Sequence, residues 1–282
     1  MINTQVLIRP AVTTDQTRIA NLIYFESKVH RHLDWRTPLD WIGAPEYWLL
    51  EQNGIPSAAL ACPPDPKTIA WLRLFAVASS LPASTAWDIL WGTAQSVMQG
   101  RGLTVAAIAV HDWLQELLST SGFIERQQVV VLAQNNLPYR LKPNRLDLVI
   151  RPMTQADLPE VAALDAASFE PIWQNSLTSL RFALGMSEIS TVGLLNNQIV
   201  AYQLSTRNPF GAHLARLAVQ PGLQGHGLGY LLVQDLLQNL HQAGFSRLTV
   251  NTQNNNSASL ALYEKIGFRR TGEHYTVFTR TL

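Results

Sequence analysis

The sequence predicts an α/β domain built on a mixed sheet, present twice in tandem. Three observations carry this reading. The chain has 282 residues, about twice the commonest single-domain length of ~100–150. Landmark tetrapeptides return at a near-constant displacement. Within each half, strand-like and helix-like segments interleave, as in α/β or α+β folds.

Leu7-Ile8-Arg9-Pro10 reappears as Val149-Ile150-Arg151-Pro152, a displacement of 151 − 9 = 142 residues. Leu74-Phe75-Ala76-Val77 matches Arg216-Leu217-Ala218-Val219, where 219 − 77 is again 142. Gly102-Leu103 matches Gly244-Phe245 in the same way, and Gly122-Phe123 matches Gly267-Phe268 with three residues added. Such a period is domain-sized, whereas solenoid repeats run ~20–50 residues. The join is expected in residues 135–144, where Asn-Asn-Leu-Pro and Lys-Pro-Asn interrupt the periodic segments. This gives domains of 1–143 and 144–282.

In the second half, residues 146–151 read as a strand, and Thr154 with Asp157 as a capping-like helix start. Leu158, Val161, Leu164 and Phe169 then recur at roughly helical spacing, and 176–184 reads as a short helix. Strands over 191–195 and 199–204 are joined through Asn196-Asn197-Gln198, with a similar pair around 51–54. Residues 213–219 read as a strand, 229–243 as an amphipathic helix, 247–252 as a strand, 257–266 as a helix and 275–281 as a last strand.

Apolar residues make up 47% of the chain, enough for a sizeable core. Charged residues are 15%, and the formal charge is +1. A nucleic-acid binder normally needs a concentrated basic face, so no nucleic-acid partner is expected. The single cysteine, Cys62, excludes an intrachain disulfide and lies in an apolar run that suits a packed side chain. The first residues carry no secretory pattern, and no apolar run approaches the ~20 residues that span a bilayer. The expectation is a soluble, cytoplasmic protein without a membrane partner, monomeric or homodimeric.

The chemical signal is the segment Val219-Gln-Pro-Gly-Leu-Gln-Gly-His-Gly-Leu-Gly229 between a strand and a helix. Gly225, Gly227 and Gly229 permit close backbone approach, and a helix N-terminus offers unpaired amides to an anion such as a pyrophosphate. A tight strand-to-helix turn is the plain alternative. The G-x-G-x-x-G spacing of a dinucleotide site and the Gly-Lys-Ser/Thr ending of a P-loop are both absent.

Together with Leu217-Ala218-Val219, Pro221 and Asn256-Ser-Ala-Ser-Leu-Ala-Leu-Tyr263-Glu-Lys-Ile-Gly-Phe268, this loop resembles the GCN5-related N-acetyltransferase (GNAT) family. The resemblance covers most of 147–282 and extends more weakly, through the repeat, to 5–135. It implies the acyl-CoA N-acyltransferase fold in tandem, acetyl-CoA as co-substrate, no metal, and direct transfer to a primary amine of a small molecule or peptide. Leu217, Ala218 and Val219 would bond to the pantetheine chain, with the Val219 amide donating to the acetyl oxygen. Gln224, Gly225, His226, Gly227, Leu228 and Gly229 would cradle the pyrophosphate. Asn256 would contact the cofactor arm or order its loop, and Tyr263 would lie beside the leaving sulfur. A non-catalytic acyl-CoA sensor is the alternative of a different class.

The general base is less determined. Ribosomal-protein N-terminal acetyltransferases, which residues 215–268 most resemble, carry a glutamate at the position matching Asn251. Asparagine cannot take that role. Glu170 and His213 are the substitute candidates, beside deprotonation through water; His226 and His241 are not. In the first copy, a displacement of 142 carries Gln224, Gly227 and Gly229 onto Pro82, Thr85 and Trp87. That copy is therefore expected to be degenerate as a cofactor site.

Overall fold

The computed structural model describes residues 5–135, 137 and 147–282. The expected join in 135–144 lies, apart from Asn135 and Leu137, outside the described residues. Two compact units divide the chain: Met1–Arg126 with Thr276–Leu282, and Gln127–Tyr275.

The first half runs β1 (Val6–Pro10), α1 (Gln16–Phe25), β2 (Lys28–Arg31), β3 (Tyr47–Gln52), β4 (Ile55–Ala61), β5 (Ile69–Trp71), β6 (Leu74–Val77), α2 (Ala83–Met98), β7 (Thr104–Ala109), α3 (Asp112–Thr120) and β8 (Ile124–Asn135). The second runs β9 (Val149–Pro152), α4 (Leu158–Ser168), α5 (Leu177–Met186), β10 (Ile189–Leu195), β11 (Gln198–Asn208), β12 (Gly211–Val219), α6 (Leu228–Gln242), β13 (Arg247–Gln253), α7 (Ser257–Ile266) and β14 (Arg269–Thr281).

Local devices recur along with the elements. The guanidinium of Arg9 grips Asp15 through two hydrogen bonds of 2.6 and 2.7 Å, and Arg151 grips Asp157 at 2.8 and 2.7 Å. Each aspartate also accepts the backbone amide three residues earlier, Val12 or Thr154, and so caps the turn that opens the following helix. The two hairpins turn through left-handed residue pairs, Asn53-Gly54 and Asn196-Asn197, which match the twist of the strands they join.

In the second unit, β9, β10, β11 and β12 pair antiparallel in that order. β12 then pairs parallel with β13, and β13 antiparallel with β8. Leu214, Leu248 and Val250 on one face of this sheet pack against Val233, Leu236, Leu237 and Leu240 of α6. In the first unit, β1, β3, β4, β6 and β2 pair in that order, all antiparallel, while β5 pairs parallel with β7.

The units exchange strands along the sequence. The first half supplies β8, which pairs with β13 over Val129–Asn135 in the second unit. The second half supplies the end of β14, which pairs with β7 over Thr276–Thr281 in the first unit. Phe278 from that strand is buried in the first unit's core beside α2 and α3. Neither half of the sequence therefore holds every strand of its own unit.

Two predictions follow from these contacts. Residues 1–143 and 144–282 expressed separately should lack cooperative thermal unfolding, and coexpression should restore it; independent two-state melting of either fragment, followed by circular dichroism, would contradict the exchange. The pairing with Arg9 holds the Asp15 carboxyl down at about 2 against an ordinary 3.8, and Arg151 lowers Asp157 likewise. A depressed carboxylate stabilises the fold above its unfolded value, and that contribution is lost as pH falls from about 4 toward 2. Asp15→Asn and Asp157→Asn should each cost about 1–3 kcal/mol at neutral pH, measured by urea denaturation, and should flatten the acid limb.

Candidate functional site

The site is set by where β12 leaves β13. The two strands pair only across Ala212–Leu248, His213–Thr249 and Leu214–Val250. β12 then carries an extra residue, Ala215, because its register against β11 shifts between Leu204 and Ser205. Beyond that bulge β12 continues on β11 alone, and its other edge is open among the described residues. The amide of Gln220 donates to Val200 of β11. Alternation along an antiparallel strand therefore turns Ala218 toward β11 as well, and turns Leu217 and Val219 toward the open edge. The Val219 carbonyl on that edge accepts from Ser168 Oγ at 3.2 Å and from Gln224 Nε2 at 3.0 Å.

The open edge leads into the N-terminus of α6. After a short turn at Pro221–Leu223, Gly225 and Gly227 take left-handed φ values of 78° and 90°. Gly227 is the N-cap of α6 and provides no side chain to its first-turn amides. A Cβ at Gly225 would meet nothing within 4 Å, so this glycine serves the backbone turn and its exposed surface. A Cβ at Gly229 would lie 3.4 Å from Leu262 and 3.6 Å from Val219, ordinary contact distances, so the packing of α6 on the sheet does not itself demand glycine there. His226 is exposed, with Nδ1 2.9 Å from the Gln224 carbonyl. Leu228 is buried beneath the helix start.

Asn256 caps α7, its Oδ1 accepting the Ser259 amide at 3.0 Å. Tyr263, on α7, is 4% exposed and packs against Phe268 with ring centroids 5.5 Å apart. Burial pushes its phenol above the ordinary value, so the hydroxyl keeps its proton.

The two base candidates belong to the other face of the sheet. Ala212 and Leu214 lie in the α6 core, so His213 between them projects oppositely. Its Nδ1 lies 2.8 Å from Thr249 Oγ1, and burial lowers the imidazole to about 4, which leaves it neutral at pH 7. Glu170 is exposed at the start of the turn Pro171–Trp173, which follows α4. Asn251 is exposed on β13, opposite Val131 of β8, one residue past the parting of the strands.

Sequence reasoning missed one cluster. Asp165 of α4 is 0% exposed and takes the guanidinium of Arg216, the first residue after the bulge, at 2.6 Å. The same carboxylate oxygen accepts the Tyr202 hydroxyl. Its signal was available: Asp165 follows Leu164 within the apolar face of α4, and a charge there needs a partner.

In the first unit the equivalent region is filled. β5 pairs with β7, then β6 departs and pairs with β4 on one side and β2 on the other. Lys28–Arg31 thereby covers all of Leu74–Val77, the match to 216–219. Trp87, the match to Gly229, is buried within the core, stacked 5.6 Å from Trp91 and bonded through Nε1 to Ser121 at 2.7 Å. It fills the space beneath α2; it does not stand over the loop before that helix. Among the described residues, no cluster of three or more His, Cys, Asp or Glu side chains is arranged to hold a metal ion. Among the described residues, no helix is long and apolar enough to cross a membrane either.

An open-edged strand feeding an uncapped helix, on a mixed sheet of this order, defines an acyl-CoA N-acyltransferase fold. The sequence pattern of the Acetyltransferase (GNAT) family matches residues 158–268, and the chain carries a domain of that family. Among its relatives is the [ribosomal protein bS18]-alanine N-acetyltransferase of Escherichia coli strain K12, 33% identical over 73 residues. That match covers 26% of this chain and 49% of the relative, so the chain spans about half the length of that protein. In fold, the chain is similar to a GCN5-related N-acetyltransferase from Sphaerobacter thermophilus at a TM-score of 0.65 and 15% identity, covering 98% and 95% of the two chains. It is also similar to a tandem GNAT protein from the clavulanic acid biosynthesis pathway at 0.67 and 14%, covering 98% of each.

The half-buried His213 supplies a test of this geometry. A histidine lowered in the folded state stabilises the fold fully above its unfolded value near 6.5, and that contribution falls away as pH drops toward 4. His213→Gln should reduce the number of protons taken up on acid unfolding between pH 6.5 and 4, measured from the pH slope of stability. An unchanged slope would place the imidazole in water.

Proposed function

We propose that the second unit is an N-acetyltransferase of the cytoplasm that moves the acetyl group of acetyl-CoA directly to a primary amine of a small molecule or peptide. The observation that carries this reading is the open edge of β12 running into the uncapped N-terminus of α6. Backbone groups of Leu217 and Val219 on that edge can pair with the amide-containing pantetheine chain as a neighbouring strand would. The first-turn amides from Leu228 onward, with Gly225, His226 and Gly227 before them, suit a pyrophosphate.

The chemistry divides between the faces of the sheet. The acceptor nitrogen gives up a proton and bonds to the acetyl carbon; the carbon–sulfur bond breaks, and the sulfur leaves as thiolate or thiol. The Val219 amide donates to the carbonyl oxygen as it gains charge. Tyr263, kept protonated by burial, lies on the α7 side and donates toward the departing sulfur. Glu170 or His213, on the α4 side, takes the amine proton in place of Asn251. His213 is a weak base because burial disfavours its charged form; Glu170 keeps the solvent access that a shuttling carboxylate needs.

The first unit is read as a non-binding copy. Its edge equivalent to Leu217–Val219 carries β2, and the helix after it starts from Pro82 without a glycine loop. One acetyl-CoA per chain is therefore expected by calorimetry, abolished by Gly227→Trp. Two equivalent sites would contradict the reading of the first unit, and unaltered affinity in the variant would contradict the loop.

Turnover tests the chemistry. Tyr263→Phe should slow single-turnover acyl transfer by about 10²-fold, within the usual range for an acid–base group, while acetyl-CoA affinity changes little. Glu170→Gln should lower kcat/KM most at low pH, where the acceptor is largely protonated, with partial recovery as pH rises. Tight acetyl-CoA binding without turnover across an amine library would instead make the protein a sensor.

A further inference from the structure

Arg216 stands where donor and acceptor would meet. It follows the bulge at Ala215, on the stretch of β12 that has already left β13. Its side chain goes to the α4 face, opposite the α6 face that receives Leu217 and Val219. The guanidinium is held on nearly every side. Nε donates to Asp165 Oδ2 at 2.8 Å, and Nη2 reaches the same oxygen and the Trp173 carbonyl, each at 2.6 Å. Phe169 stacks on its plane at 3.5 Å. The other oxygen of Asp165 accepts the Asn175 amide at 2.8 Å, so the turn after α4 is tied to the same centre.

One part of the group is left over. Nη1 makes no hydrogen bond among the described residues, and the side chain retains 11% exposure. Asp165 matches the charge of Arg216, so the pair presents a fixed N–H donor with little net field. Such a donor suits a neutral carbonyl oxygen better than it suits an ammonium or a hydrocarbon.

We propose that Arg216 is a specificity-determining residue whose Nη1 donates to the carbonyl oxygen of an acceptor in which the amine is α to that carbonyl, an α-amino amide or a peptide N-terminus. This rests on the reading of the second unit as the acetyl-CoA site. The acceptor enters from the α4 face, its carbonyl is fixed by Nη1, and its amine one carbon away is turned toward the acetyl group. A simple alkylamine offers Nη1 nothing, and a partly buried donor then stays unpaired.

The test compares glycinamide with ethylamine, which has a methyl group in place of the carboxamide. Acetylation is followed by release of free CoA, with kcat/KM expressed on the unprotonated amine to remove the difference in basicity. Wild type should prefer glycinamide by at least about tenfold, as expected for a hydrogen bond to a charged donor, with the difference carried mainly by KM. Arg216→Met should bring the ratio to within about threefold while the acetyl-CoA Kd changes by less than about twofold. Arg216→Lys, which keeps a cation beside Asp165 but lacks the outward N–H of the fork, should do the same and serves if the Met variant fails to fold. Equal use of both amines by wild type, or the wild-type preference persisting in a folded variant, overturns the proposal. Failure of wild type to bind acetyl-CoA at all removes the reading of the site itself, and this assignment with it.

Discussion

A strand that leaves its neighbour exposes backbone donors and acceptors that something must satisfy. That constraint governs both units. In the first, β5 runs with β7 and β6 then departs, and β2 lies along the vacated edge. In the second, β12 departs from β13 after Leu214, and no strand of the described chain follows it. One topology thus gives two outcomes: an edge closed by the protein's own backbone, and an edge left unpaired among the described residues, where the proposed cofactor's amides would pair as a strand does.

The surroundings of each edge agree with that division. Beneath α2 the first unit has a solid aromatic core in which Trp87, Trp91, Phe75 and Phe123 pack together, so the helix is fixed by tryptophan where its counterpart has glycine. Above the sheet of the second unit, the left-handed Gly227 turns the chain into α6 without covering the helix end. Asp165, Arg216 and Tyr202 then hold α4 and its following turn against β12 from the opposite side. Breaking this set would leave the fully buried Asp165 without its charge partner.

Much of this was legible in the residues. The hairpin at Asn196-Asn197, the cap at Asp157 and the extent of α7 follow from turn chemistry, a local charge pair and a glycine stop, all short-range. The capping Asp157 is legible in the sequence because Thr154, whose amide it accepts, lies only three residues before it. Arg216 and Asp165 are 51 apart and meet only through tertiary packing. The strand exchange was hidden for a related reason. β8 and the end of β14 carry apolar patterns that read as strands in either unit, and nothing in their composition names a partner. β2 escaped notice because four residues, Lys-Val-His-Arg, give no periodicity; only its pairing with β6 reveals what it does. The site was legible where it depends on glycine and helix position, and illegible where it depends on which backbone edge is open.

Amide hydrogen exchange resolved to single residues, with and without acetyl-CoA, addresses that edge directly. The account predicts that the Leu217 and Val219 amides exchange readily in the free protein and become protected when acetyl-CoA is added. The Leu74–Val77 amides should be protected in both states, because β4 and β2 already flank them. Protection of Leu217 and Val219 that does not respond to acetyl-CoA, or a response confined to Leu74–Val77, would contradict it.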